Sequence, residues 1–224
     1  LYIIIIIYFS EVNMNSKVIG IMLILGPILT MGVWITGMVP DTSSMSPSES
    51  MNSILAKKNQ ALTGSMLQIF GVMAMFTGLY FLAKSLKNDN SLSNQLAEIG
   101  GLLLLLVVPI WVVFMGSWIT AIDYAEQFGN DVGATILASS TMFEMGGMLL
   151  VVGLMFLGIS MTLICDKKYK AIIGSLFIIT SLCAFLDMIL NVDALGMIGW
   201  MGMFLITFIT GIITTVQKEN QSEA

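Results

Sequence analysis

The sequence contains no histidine and no arginine, and it has only two cysteines and four prolines among 224 residues. Without an imidazole there is no neutral-pH base, no haem ligand and no histidine-based metal site. Two thiols are too few for a zinc or iron–sulfur cluster of the all-cysteine type. Charge is scarce as well: 10% of residues are Asp, Glu, Lys or Arg, against about 25% in an ordinary soluble domain. These shortages argue against an enzyme. They leave no cofactor to expect, and nucleic acid is not among the expected partners.

What is present is apolar. Hydrophobic residues make up 57% of the chain and mean hydropathy is +0.93. A 24.3 kDa globule still exposes much of its surface, so depletion of charge on this scale calls for lipid as the solvent. Crossing ~30 Å of hydrocarbon takes ~20 apolar residues per helix. Six runs qualify: 18–39, 61–83, 99–122, 142–164, 171–190 and 194–216. They are continuously apolar rather than alternating, and twice as long as a barrel strand needs. The expected fold is all-α, a polytopic membrane protein with six transmembrane helices.

Residues 14–216 form one six-helix domain on this reading, and 217–224 a short tail. The opening run with five consecutive isoleucines, Ile3 to Ile7, is too short to span. Met14-Asn15-Ser16-Lys17 ahead of an apolar stretch resembles a natural start, so 1–13 read as an upstream extension from a mis-assigned start codon. The first span exceeds a ~7–15 residue signal core and lacks an Ala-x-Ala end, which predicts a retained helix. Pro27 and Pro109 each remove a backbone donor inside a span and predict packing kinks.

All nine basic residues are lysines. With six spans, Lys17, Lys84, Lys87, Lys167, Lys168, Lys170 and Lys218 share one side, while Lys57 and Lys58 lie on the other. The positive-inside bias then places both termini in the cytoplasm and the protein in the cell membrane. Trp34, Trp118, Tyr124 and Trp200 fall at outer helix ends and Tyr80 and Tyr169 at inner ones, as headgroup-level aromatics do.

The acids sort oppositely. Asp123, Glu126, Asp131, Glu144, Asp187 and Asp193 fall on the outer side, with Gln68 and Asn191 at similar depth. Glu144 and Asp187 sit roughly 3–5 Å inside antiparallel helix ends at 1.5 Å per residue. No base falls among these acids on this reading, so they are solvated, share protons or hold a cation. A solvated rim is the plainer reading. Glu144, Asp187, Gln68 and Asp123 are the candidates for an ion or proton site.

Nineteen methionines, including Met142, Met145 and Met148, suit either soft-metal ligation or adaptable packing; packing is the simpler account, given codon bias in a chain without arginine. Cys165 and Cys183 read as reduced, packed thiols. Glycines within spans, such as Gly20, Gly26, Gly153, Gly158, Gly196 and Gly199, predict close helix approach inside the bundle; no span holds a GxxxG pair. Residues 48–58 read as an interfacial helix capped by Ser48 or Ser50, with Met51, Ile54 and Leu55 toward lipid. Spans two and four echo each other at an offset of about 75: Ser65-Met66-Leu67-Gln68-Ile69 aligns with Thr141-Met142-Phe143-Glu144-Met145, and Gly78-Leu79-Tyr80-Phe81-Leu82 with Gly153-Leu154-Met155-Phe156-Leu157 after a one-residue shift.

Asn52-Ser53-Ile54-Leu55-Ala56, Gly153-Leu154-Met155-Phe156-Leu157-Gly158 and the turn entering Ala171-Ile172-Ile173-Gly174 give the chain its one family likeness. Over 18–216 it resembles a family of small six-span bacterial and archaeal membrane proteins of unknown function, though it lacks the proline associated with the turn before the fifth span. The resemblance implies six helices and transfers no catalytic residue. The function expected from the sequence is a non-enzymatic accessory, scaffold or regulatory component whose partners are the bilayer and another membrane protein. The alternative is a small proton- or cation-coupled transporter using the outer acids.

Overall fold

The computed structural model describes residues 14–40, 42, 45–86, 88, 90–140, 142–143, 146–164 and 168–216. Glu144, Cys165, three of the nine lysines (Lys87, Lys167 and Lys218), the 1–13 extension and the 217–224 tail lie outside them. Eight helices and no strands occur among the described residues: α1 (Ser16–Ile35), α2 (Pro47–Ala56), α3 (Lys58–Ser85), α4 (Ser91–Phe128), α5 (Asn130–Ser140), α6 (Gly146–Leu163), α7 (Lys168–Leu190) and α8 (Asp193–Val216). Six of these, α1, α3, α4, α6, α7 and α8, are long and apolar enough to cross a membrane.

The helix ends follow local chemistry. Asn15 and Asn90 cap α1 and α4 by accepting backbone N–H bonds, from Lys17 at 2.8 Å and from Leu92 at 3.1 Å respectively. α2 opens with Ser46 as cap and Pro47 in the first turn. Pro27 and Pro109 both stay within continuous helices. At Gly129 the backbone takes φ +101, a value only glycine adopts without strain, and there the chain reverses from α4 into α5.

The six long helices close a ring in chain order, each packed on the next, with α8 returning to α1. Because consecutive spans reverse direction, α3, α6 and α8 run parallel. These three meet at the centre, where Met75, Phe76 and Leu79, Leu150 and Leu154, and Met203, Phe204 and Thr207 surround a cavity of about 10 Å³. That volume is about one water's worth of space. Met75 with Leu150, and Leu79 with Leu154, repeat the offset of 75 seen in the sequence.

Small residues set the ring's tightness. A Cβ on Gly71 of α3 would stand 2.6 Å from the Thr30 hydroxyl and 2.9 Å from the Gly26 carbonyl of α1. Equivalent approaches join α4 to α6 at Gly100 and Gly153, α6 to α7 at Gly158 and Gly174, α7 to α8 at Ala184 and Gly199, and α8 to α1 at Gly211 and Gly20. Such contacts let backbones approach where no hydrophobic effect operates between lipid-facing helices.

Three sequence expectations change. α4 has 38 residues rather than the 24 of the 99–122 run, so at ~1.5 Å per residue it is ~57 Å long and outruns a ~30 Å hydrocarbon layer. Residues following the third span, outside the six apolar runs, form α5, which folds back on α4 with Gly133 against Ala121 and Ala125. Met51 and Ile54 of α2, expected against lipid, are buried instead. They join Val33, Val39, Ala61, Trp118, Ala121, Ile122, Ala125, Ala134 and Leu137 in a second hydrophobic core. α2, α5 and the end of α4 thus make a helical cap on one end of the ring.

Candidate functional site

Charge separates the two ends of the bundle. Lys17, Lys84, Lys168 and Lys170 sit at the helix ends of one face, together with Glu98. The capped face carries Glu49, Asp123, Glu126, Asp131, Asp187 and Asp193, with Lys57 and Lys58.

Lys58 sits among those acids. Its Nζ donates to both carboxylate oxygens of Glu126 at 2.6 Å, which corrects the expectation of an acid group free of bases. The turn between α2 and α3 brings Lys58 to the start of α3, beside the antiparallel end of α4. Nearby, Asn130 donates to the Asn52 side chain at 2.6 Å, tying α5 to α2. Glu49 completes a capping box: its carboxylate accepts from the Ser46 hydroxyl at 2.7 Å and from the Ser46 backbone N–H at 2.8 Å. These two bonds, the hydroxyl's first, hold its carboxyl below the ordinary carboxylate range.

The four sequence candidates do not assemble among the described residues. Asp123 is exposed on the cap portion of α4. Asp187, half-buried near the end of α7, lies against Gly196 in the first turns of α8, where a Cβ would stand 2.5 Å from its carboxylate oxygen. Gln68 is on α3, which is not a ring neighbour of α7. Glu144 lies outside the described residues. No three Asp, Glu or Cys side chains among the described residues group as a metal ion would need.

Gln68 has different company. It is 1% exposed and neither its Oε1 nor its Nε2 has a hydrogen-bond partner. Ser65, one turn away on the same helix, is also 1% exposed with an unpartnered hydroxyl. Lys58–Glu126 marks the α3–α4 register at one end and Gly101 against Ala83 and Tyr80 marks it at the other. At that register Ser65 and Gln68 lie level with residues 116–119 of α4. Trp118 is there, 9% exposed, its Nε1 without a partner. The sequence had set Trp118 at the lipid headgroups; the cap covers it instead.

Gln68 lies one heptad before Met75 and Ser65 two heptads before Leu79. Seven residues fall ~20° short of two full turns, so both continue the stripe of α3 that lines the central cavity. The resulting polar level lies between the central cavity and the cap. Ser65, Gln68 and Trp118 donate and accept hydrogen bonds and carry no charge, so they equip the level for recognition rather than proton transfer. Ser65 carried one sequence signal: a hydroxyl three residues before an amide in an otherwise apolar span.

No family model, no curated protein and no solved structure matches the chain.

Proposed function

We propose that the protein is a non-enzymatic accessory or scaffold component of the cell membrane. It spans the bilayer six times, keeps its lysine-rich face and both termini in the cytoplasm, and presents the cap to a membrane-protein partner on the other side. The cap is the observation that carries this reading. Joining two spans needs only a short loop, whereas here α2, α5 and the end of α4 build a second hydrophobic core and fix the display of Asn52, Lys58, Glu126 and Asn130. The packed axis fits the same role, because its cavity of about 10 Å³ is far below the ~300 Å³ of a small-molecule pocket. The lysine bias supports the orientation.

A photo-crosslinking residue at Phe128, exposed on the cap, tests this in native membranes. The reading expects one discrete adduct with another membrane protein, absent when the crosslinker sits at Leu205 on the lipid-facing side of α8. Equal, diffuse labelling from both positions would overturn it.

A carrier is the second reading, favoured by Asp187, an acid with no ion pair among the described residues, on a helix whose other charges, Lys168 and Lys170, lie at its opposite end. Proton or cation flux in proteoliposomes, lost in Asp187→Asn, would support it. Flux equal to that of protein-free vesicles would remove it.

A further inference from the structure

We propose that Ser65, Gln68 and Trp118 form an internal site, on the axis side of α3 and α4 beneath the cap, for a small neutral hydrogen-bonding molecule: water, or a solute presenting the same groups. Four hydrogen-bonding atoms from three side chains lie at one level of two packed helices: Ser65 Oγ, Gln68 Oε1, Gln68 Nε2 and Trp118 Nε1. All are buried and none has a protein partner. Buried polar atoms are nearly always satisfied, and a bound water typically makes about three hydrogen bonds to groups of this kind.

The chemistry selects the occupant. Trp118 and the Gln68 amide supply three N–H donors, Ser65 supplies a hydroxyl that donates or accepts, and Gln68 Oε1 accepts. An anion would meet no positive charge, since Lys58, two turns away on α3, is held by Glu126. A cation would find only two oxygens. A neutral molecule with both donors and acceptors fits. The site is also placed to receive one from water: Gln68 is ~26 Å along α3 from Ser85 at ~1.5 Å per residue, close to the far edge of a ~30 Å hydrocarbon layer. Beyond it α3 presents only the apolar Met75, Phe76 and Leu79 to a cavity of about 10 Å³, so the molecule is held rather than passed on.

Indole ¹⁵N–¹H spectroscopy of the full chain in lipid nanodiscs tests the proposal. The four tryptophans give four signals, and Trp118→Phe assigns the one required. A rotating-frame cross-peak of dipolar sign between bulk-frequency water and the Trp118 indole proton is expected. It should be lost in Gln68→Leu while the other three indole signals stay in place. If Gln68→Leu does not fold, Gln68→Met, which keeps the side chain's length, serves the same comparison.

Urea and glycerol separate the sources. A saturable shift of the Trp118 signal identifies a solute site, and a water cross-peak without such a shift identifies bound water; either supports the proposal. No water cross-peak and no solute shift at Trp118 in the unmodified protein would overturn it. So would a cross-peak that survives Gln68→Leu and Gln68→Met unchanged.

Discussion

Ser93 and Ser160 hold each other across the α4–α6 interface. The Ser160 hydroxyl donates to the Ser93 carbonyl at 2.8 Å, the Ser93 hydroxyl reaches the Ser160 carbonyl at 3.1 Å, and the two hydroxyls lie 3.0 Å apart. Both residues are fully buried. The pair sits where Gly100 and Gly153, two turns further along, bring the same helices to near backbone contact. Asn88 extends it by donating to Ser93 Oγ at 3.1 Å, so the α3–α4 connection is tied to α6 as well.

Interhelical hydrogen bonds in membrane bundles average ~0.6 kcal/mol and reach ~1.7 kcal/mol. Ser93→Ala and Ser160→Ala should therefore each lower stability by about 1 kcal/mol. The double variant should lose less than the two single losses combined, because both remove the hydroxyl–hydroxyl contact. Reversible unfolding in mixed detergent micelles measures the cycle, and full additivity would show that the two hydroxyls act independently.

Glycine positions should divide by environment. Gly71→Ala places its Cβ 2.6 Å from the Thr30 hydroxyl and should cost roughly 1–3 kcal/mol, as overpacking does. Gly32 of α1 has nothing within 4 Å of the same atom. Gly32→Ala should be neutral or stabilising by up to about 1 kcal/mol from helix propensity. Thermal midpoints in one detergent compare the two directly.

The capping box of α2 makes one end of the cap sensitive to acid. Glu49 has its carboxyl held low in the folded protein by Ser46, so the unfolded chain binds its proton at the higher pH. The stabilisation is complete above the ordinary carboxylate range and disappears as pH falls through the folded value below it. Amide exchange of the first turn of α2, followed from pH 6 to pH 3, should accelerate relative to α3. Glu49→Gln should flatten that dependence, and Ser46→Ala should move it toward the ordinary carboxylate value.

The Lys58–Glu126 pair should contribute little despite its 2.6 Å contact. Both side chains are substantially exposed, 35% and 47%, and exposed pairs contribute about 0–1 kcal/mol and are screened by salt. Lys58→Ala is expected to shift stability by less than about 1 kcal/mol at low salt and by less again at 0.5 M. A larger, salt-independent loss would mean that the pair anchors the cap.

How much of this was legible beforehand follows from which forces act locally. Continuous apolar runs specify membrane-length helices because each helix satisfies its own backbone, and the six spans emerge accordingly. The cap was hidden for the opposite reason. Asn130 to Ser140 is short and mixed in polarity, and it becomes a helix by packing on Ala121, Ala125 and Met51, contacts no local pattern announces. Gln68 stood out as an amide in an apolar span, but its depth alone grouped it with the acids. What lies beside it depends on the α3–α4 register, which Lys58–Glu126 and Gly101 with Ala83 mark, pairs that no spacing in the sequence reveals. The offset of 75 was readable, since parallel helices lining one cavity repeat their apolar stripe.

Orientation of the cap is the central claim, and labelling of single cysteines tests it most directly. In a background carrying Cys165→Ala and Cys183→Ala, a membrane-impermeant maleimide is added to intact cells bearing Phe128→Cys on the cap or Lys168→Cys on the lysine-rich face. The account predicts that Phe128→Cys labels at once and that Lys168→Cys labels only after permeabilisation. The reverse pattern would put the cap in the cytoplasm and contradict it.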